Sequence, residues 1–203
     1  MAEAISDTTN KWGKRVDTDL QAVSGYILRY FPSVSSRSYI KRVAALHLYV
    51  YEKVDYERRN FGNGPRDMRM PKECWRSSGN CQEQIVLLAS LLKSVPELEM
   101  RTKALSHNRE SDIGHRTFEV RFPYAPKDVK EVLKNFYQKT PHFDGSAPKM
   151  SWSRVKNKND TWIVADPTMS SCLGDLSSHR NKGYVTDTED SWKWHQVDSK
   201  HSL

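Results

Sequence analysis

The 203-residue sequence has few cysteines, no long apolar run and no C-x-x-C pair. Its three cysteines, Cys74, Cys81 and Cys172, are odd in number and irregularly spaced, which does not fit a disulfide framework. A reducing, cytoplasmic (intracellular) setting is therefore expected. No stretch reaches the roughly 18 apolar residues that a membrane-spanning helix needs, so no membrane partner is expected. The first ten residues hold two acids and no base, which is unlike a signal peptide.

The sequence also lacks the signatures of phosphate and metal sites. The segment from Gly62 to Gly64 is too short for a phosphate-binding loop and no G-K-S or G-K-T follows it. Zinc is the main alternative use of the thiols, with His107 and His115 downstream of Cys74 and Cys81. Six residues separate these two cysteines, whereas structural zinc sites usually place about two to four between them. We therefore expect neither a metal nor another cofactor.

Positive charge is in modest excess, with 32 Lys and Arg against 25 Asp and Glu and a net charge of +7. This excess could serve an anionic partner, although a solvated surface is the simpler explanation of the charge alone. The basic residues of the later part of the chain would form the binding face: Lys127, Lys130, Lys134, Lys139, Lys149, Arg154, Lys156 and Lys158.

The length favours a single domain over residues 1–203. Within it we expect a helical N-terminal extension over 1–38, a core over 39–168 and a C-terminal strand and tail over 169–203. Apolar residues at helical spacing predict helices over 18–31, 39–58, 81–95 and 126–137. Glycine and proline predict a loop over 60–71.

Alternating apolar residues predict strands over 100–106 and 116–122. Segments 151–156 and 161–165 predict a hairpin, and 192–197 a last strand. We interpret the segment 123–160, which contains the predicted helix over 126–137 and enters the hairpin, as an insertion. Because helices come first and strands follow, the order indicates an α+β fold with an antiparallel sheet.

Cys81 is predicted to lie in the first turn of a helix, where Asn80 and Glu83 match the spacing of a capping box. The unpaired N–H groups and the positive dipole end favour a thiolate there. Gly79 would let a substrate chain approach, and the Cys81 N–H would then hold a developing oxyanion. The plain alternative is a small buried residue beside a loop glycine.

His115 follows Gly114 at the start of a predicted strand, and Asp166 ends the apolar run over 162–165. A carboxylate at the end of a buried strand needs a partner, and an imidazole N–H is suitable. A surface histidine and an Asp-Pro turn are the alternatives; His107, in a polar loop, is the less suitable partner. Thiol, imidazole and carboxylate together are the set that a nucleophilic cysteine enzyme needs.

Three motifs in order carry a resemblance to a known family. They are G-x-C at Cys81, H-x-x-x-E-V at His115 and W-x-x-x-D-P-T at Asp166. With them the chain resembles the transglutaminase-like superfamily of cysteine enzymes over about residues 39–168. The segment with Tyr49 and Tyr56 is also similar to the stretch that precedes the cysteine in that family.

The resemblance implies a papain-like, transglutaminase-core fold, with an antiparallel sheet packed on a central helix that carries the cysteine. It also implies a Cys-His-Asp triad of Cys81 as nucleophile, His115 as base and acid, and Asp166 as the orienting group. Trp75, Gly79 and Glu83 are the candidates for oxyanion or substrate contacts. The chain departs from the family at Gln82, where an aspartate is common, at Thr117, where an aromatic is usual, and in the insertion.

Three functions follow as expectations. The first is a thiol hydrolase, a cysteine protease or amidase, that cleaves a peptide or protein substrate through an acyl-enzyme. The second is a transglutaminase-type acyltransferase that forms an amide or isopeptide crosslink. The third is a catalytically silent protein whose basic face binds an anionic polymer. The sequence sets neither the substrate nor the oligomeric state.

Overall fold

The structure is a computed structural model that describes residues 18–29, 37–58, 68–95, 98–105, 115–140, 152–154 and 161–176. In these ranges the helices are α1 (Thr18–Arg29), α2 (Ser38–Lys53), α3 (Pro71–Arg76), α4 (Cys81–Leu92) and α5 (Pro126–Gln138). The strands are β1 (Asp55–Tyr56), β2 (Ser78–Gly79), β3 (Met100–Leu105), β4 (His115–Phe122), β5 (Trp152–Arg154) and β6 (Thr161–Ala165). The predicted α+β class is confirmed.

The main sheet has four antiparallel strands in the order β3-β4-β6-β5. His115 pairs with Leu105 as the first residue of β4, whereas pairing of β4 with β6 begins only at Phe118, opposite Ala165. The predicted hairpin is confirmed as β5 and β6. The predicted strand over 192–197 lies outside the described residues.

The thiol-bearing helix α4 packs against α1, α2 and β4. Leu87 and Leu88 on α4 and Phe118 and Phe122 on β4 are fully buried, and Tyr39 of α2 meets the ring of Phe122 edge-on. Helix α5 packs on α2. Burial of these apolar faces is the main force that holds the helices on the sheet.

The second helix is shorter than predicted. It ends at Lys53 rather than residue 58 because Val54 is extended and the next two residues pair in parallel with Ser78 and Gly79. This two-residue pairing of β1 with β2 places the chain before the cysteine directly beside the end of α2. A pairing of two residues leaves no periodic pattern that a sequence could reveal.

The short helix α3 was not predicted, since its first residue was assigned to the loop over 60–71. Pro71 opens the helix, a position where proline costs no hydrogen bond. The Glu73 carboxylate accepts the Met70 N–H at 2.8 Å and closes the first turn. None of the helices within the described ranges is long and apolar enough to cross a membrane.

Candidate active site

Capping fixes the start of α4 and the place of its cysteine. Asn80 Oδ1 accepts the N–H groups of Gln82 and Glu83, each at 3.0 Å, and Glu83 Oε2 accepts the Asn80 N–H at 3.0 Å. The predicted capping box is therefore confirmed, and Cys81 is the first residue of the helix. The first N–H groups of a helix have no acceptor within the helix itself, and the N–H of Cys81 is the first of these.

His115 and Asp166 meet where β4 begins and β6 ends. The Nε2 atom of His115 lies in hydrogen-bond contact with Asp166 Oδ2, although 51 positions separate the residues along the chain. The other carboxylate oxygen accepts the N–H of Thr168 at 3.0 Å and its hydroxyl at 2.7 Å. Both partners are buried, so the carboxylate is held from two sides and its orientation is restricted.

Cys81 makes a side-chain hydrogen bond to His115. Because Asp166 occupies Nε2, the thiol has Nδ1 as its partner. Burial lowers the pKa of His115, but the charge of Asp166 and the hydrogen bonds to Asp166 and Cys81 outweigh it and raise the pKa to about 10. The ring is therefore an imidazolium at neutral pH, beside the sulfur of Cys81.

Access to the three groups differs. Cys81 is partly exposed, whereas His115 and Asp166 are buried behind it. The residue that bears the thiol is thus partly open to solvent, while the ring and the carboxylate are shielded from water. Electrostatic contacts between such desolvated groups are stronger than in solvent.

The three further candidates, Gly79, Glu83 and Trp75, have different neighbours. Gly79 is buried, and a β-carbon there would overlap Cys74 Sγ. Glu83 is fully buried, and its Oε1 accepts the Arg69 N–H at 2.7 Å, so its carboxylate fastens two backbone segments together. The Trp75 indole N–H donates to Tyr49 Oη at 2.8 Å.

The sequence did not single out Arg69, which braces the strand before the thiol. Its Nη1 donates to Glu57 Oε2 at 2.6 Å, to Ser78 O at 2.6 Å and to Ser78 Oγ at 2.7 Å. The hydrogen bond that Arg69 donates to Glu57 raises the pKa of Arg69. Glu57 and Ser78 are separated from Arg69 by 12 and 9 positions along the chain. These spacings match no known motif, so the sequence carries no signal for this contact.

His47 was also missed as a site residue, because the sequence placed it on the apolar face of a helix. It is fully buried in α2, and within the described residues its two ring nitrogens have no hydrogen-bond partner. Burial lowers its pKa to about 4, a shift that the neighbouring Asp166 only partly opposes. The ring is therefore neutral at physiological pH.

Within the described ranges, no group of three or more His, Cys, Asp or Glu side chains is arranged to hold a metal ion. His107 lies outside those ranges. On the predicted basic face, Lys127, Lys130, Lys134 and Lys139 are exposed along α5. The side chains of the other four basic residues fall outside the description.

Comparison of the whole chain with families of known proteins, with curated proteins and with solved structures gave no match in any of the three. The candidate site is thus defined by its own geometry: a partly exposed thiol, a buried imidazole and a buried carboxylate in series.

Proposed function

We propose that the chain is a thiol hydrolase of the transglutaminase-like, papain-like type, which cleaves a peptide or amide bond through an acyl-enzyme on Cys81. The observation that carries this proposal is the position of the His115 ring, hydrogen-bonded to the thiol on one side and to Asp166 on the other. A purely structural role does not require a buried His115–Asp166 pair to lie beside a partly exposed thiol.

In the first half of the reaction the Cys81 thiolate attacks the carbonyl carbon and a C–S bond forms. The oxygen becomes an oxyanion, for which the Cys81 N–H at the helix start is a suitable donor. His115 then gives its Nδ1 proton to the leaving nitrogen as the C–N bond breaks. An amine departs and a thioester remains.

In the second half water attacks the thioester carbon, and neutral His115 accepts a proton from that water. The C–S bond breaks, the acid leaves and the thiolate–imidazolium pair is restored. Asp166 stays charged throughout and keeps the ring in the orientation that serves both steps. The partial exposure of Cys81 gives water access to the thioester.

The three cysteines provide an internal test of the nucleophile. Burial raises the pKa of Cys74 and of Cys172 to about 12 each, so both stay protonated at neutral pH. Iodoacetamide at pH 7 should alkylate Cys81 alone, as read by peptide mass spectrometry. His115→Gln should slow this alkylation, while the two buried thiols give the background rate in the same molecule. Equal labelling of all three in the folded protein would contradict the proposal.

Turnover is tested on a library of fluorogenic peptide amides. Cys81→Ser and His115→Gln should each abolish cleavage with the circular dichroism spectrum unchanged, and a thioester adduct on Cys81 should accumulate on rapid acid quench. Cleavage that survives in Cys81→Ser would end the proposal. Addition of a fluorescent primary amine separates hydrolysis from transfer, because an amine-labelled product would instead identify an acyltransferase.

A further inference from the structure

The two oxygens of the Asp166 carboxylate have different partners. Oδ2 lies in hydrogen-bond contact with Nε2 of His115, whereas Oδ1 accepts both the N–H and the hydroxyl of Thr168, at 3.0 Å and 2.7 Å. Asp166 is buried, so its partners inside the protein, rather than water, decide which oxygen faces the ring. Thr168 thus directs two donors at the oxygen that His115 does not use.

A tight turn after β6 places Thr168 beside this carboxylate. Pro167 has no N–H group, so the N–H of Thr168 is the first one that follows Asp166 along the chain. The main-chain carbonyl of Asp166 accepts the N–H groups of Met169 at 3.3 Å and Ser170 at 3.1 Å. These main-chain bonds, with the N–H of Thr168 on Oδ1, form the turn without the Thr168 side chain.

The hydroxyl of Thr168 therefore adds a contact that the turn does not need. Thr161, at the start of the same strand, donates its hydroxyl to the main-chain carbonyl of Tyr124 at 2.6 Å. Thr168 donates instead to an ionised side chain, and hydrogen bonds to charged groups are the stronger kind. The contact fixes one carboxylate oxygen and leaves the other for the imidazole ring.

We propose that Thr168 is a positioning residue, whose hydroxyl keeps the Asp166 carboxylate from rotating so that Oδ2 stays on the His115 ring. The inference rests on the proposed function, because the orientation of the ring matters to the reaction only if His115 transfers protons. Without the hydroxyl, only the N–H of Thr168 restrains Oδ1 from this side. The carboxylate then turns more freely about its Cβ–Cγ bond, and the ring loses its partner for part of the time.

Thr168→Val tests the hydroxyl alone, because valine keeps the main-chain N–H and a similar volume. In the cleavage of a fluorogenic peptide amide, kcat should fall about tenfold, the factor that one hydrogen bond to a charged group is worth. KM should stay the same, since neither Thr168 nor Asp166 contacts the substrate in the proposed mechanism. Thr168→Ser keeps a hydroxyl at this position and should restore most of the loss.

The proton on Nε2 of His115 gives a readout that needs no turnover. A ring proton shared with a buried carboxylate resonates far downfield in proton NMR of the full chain, and its loss in His115→Gln assigns the signal. In Thr168→Val this proton should exchange with water about tenfold faster. Thr161→Val is the matched control, because it removes a hydroxyl of the same kind from the other end of β6. It should lower the melting temperature and leave the signal and kcat unchanged.

An unchanged exchange rate in Thr168→Val would overturn the inference, as would the absence of the downfield signal from the wild-type protein. Equally fast exchange in Thr161→Val would overturn it too, because any lost hydroxyl would then have the same effect. Unfolding of both Thr168→Val and Thr168→Ala would show that the hydroxyl serves the fold itself. Failure of the proposed function is seen separately, as cleavage that survives in Cys81→Ser.

Discussion

The sulfur of Cys74 lies so close to Gly79 that a β-carbon on residue 79 would overlap it. Cys74 is fully buried in α3, and Gly79 pairs with Tyr56 two residues before the nucleophile. The absence of a side chain at residue 79 thus lets α3 pack against the strand that leads into α4. Gly79 serves here as a point of close approach between backbone and sulfur.

Gly79→Ala should therefore lower the free energy of unfolding by about 1–3 kcal/mol, the usual cost of forcing extra volume into a packed interior. Cys74→Ala removes the sulfur and should recover part of this loss in the double variant. Urea unfolding of the two single variants and the double variant measures the coupling energy. Simple additivity of the two single effects would show that the two residues do not compete for space.

In the proposed reaction, the raised pKa of His115 should set the alkaline limit of activity. The imidazolium must deliver a proton to the leaving nitrogen, so kcat/KM should fall as the pH rises through about 10, where His115 loses that proton. Asp166→Asn removes the charge that holds the His115 proton, so the alkaline limb of the pH profile, where kcat/KM falls, should move toward lower pH. Circular dichroism at each pH excludes unfolding as the cause, and an identical limb in Asp166→Asn would contradict the assignment.

His47 should make the fold sensitive to acid. The unfolded chain binds a proton at His47 near pH 6.5, whereas the folded chain does so only near pH 4. The unfolded state therefore holds more protons between these values, and stability falls as the pH is lowered through that window, by up to about 3 kcal/mol. The contribution of neutral His47 to the free energy of unfolding is complete above pH 6.5 and is fully lost below about pH 4.

Urea unfolding of the wild type and His47→Leu between pH 4 and pH 7 isolates this effect, because every other titrating group is common to both chains. The variant should show the shallower loss of stability on acidification. His115 contributes the opposite slope: with its pKa raised, its stabilisation is complete below pH 6.5 and is lost as the pH rises through about 10. Parallel curves for the two proteins would contradict the burial of a neutral His47.

Trp75 offers a test of which donors serve the oxyanion. Its indole N–H is already bonded to Tyr49 Oη, so Trp75→Phe should cost about 1 kcal/mol of stability and change kcat only a few-fold. Tyr49→Phe, which breaks the same bond from the other side, is the matched control and should have a similar cost. A loss of 100-fold or more in kcat for Trp75→Phe alone would instead identify the indole as an oxyanion donor.

Sequence reasoning was most accurate where a signal is local. The capping box of Asn80 and Glu83 predicted that α4 begins near Cys81, and alternation predicted β4. The segments 151–156 and 161–165 predicted the hairpin of β5 and β6. It did less well at α3, whose opening proline was assigned to the preceding loop although Pro71 and Glu73 are typical of a helix start. It could not find β1 and β2, since two paired residues have no period.

The sequence by itself determined that the chain contains a thiol at a helix start, an imidazole at a strand start and a carboxylate at a strand end. These placements depend on caps and alternation, which act over a few residues. Only the tertiary structure decided that His115 reaches Asp166, that His47 is fully buried and that Arg69 joins Glu57 to Ser78. Such contacts depend on how α2, α4 and the sheet pack together, and packing joins residues whose separation along the chain carries no signal.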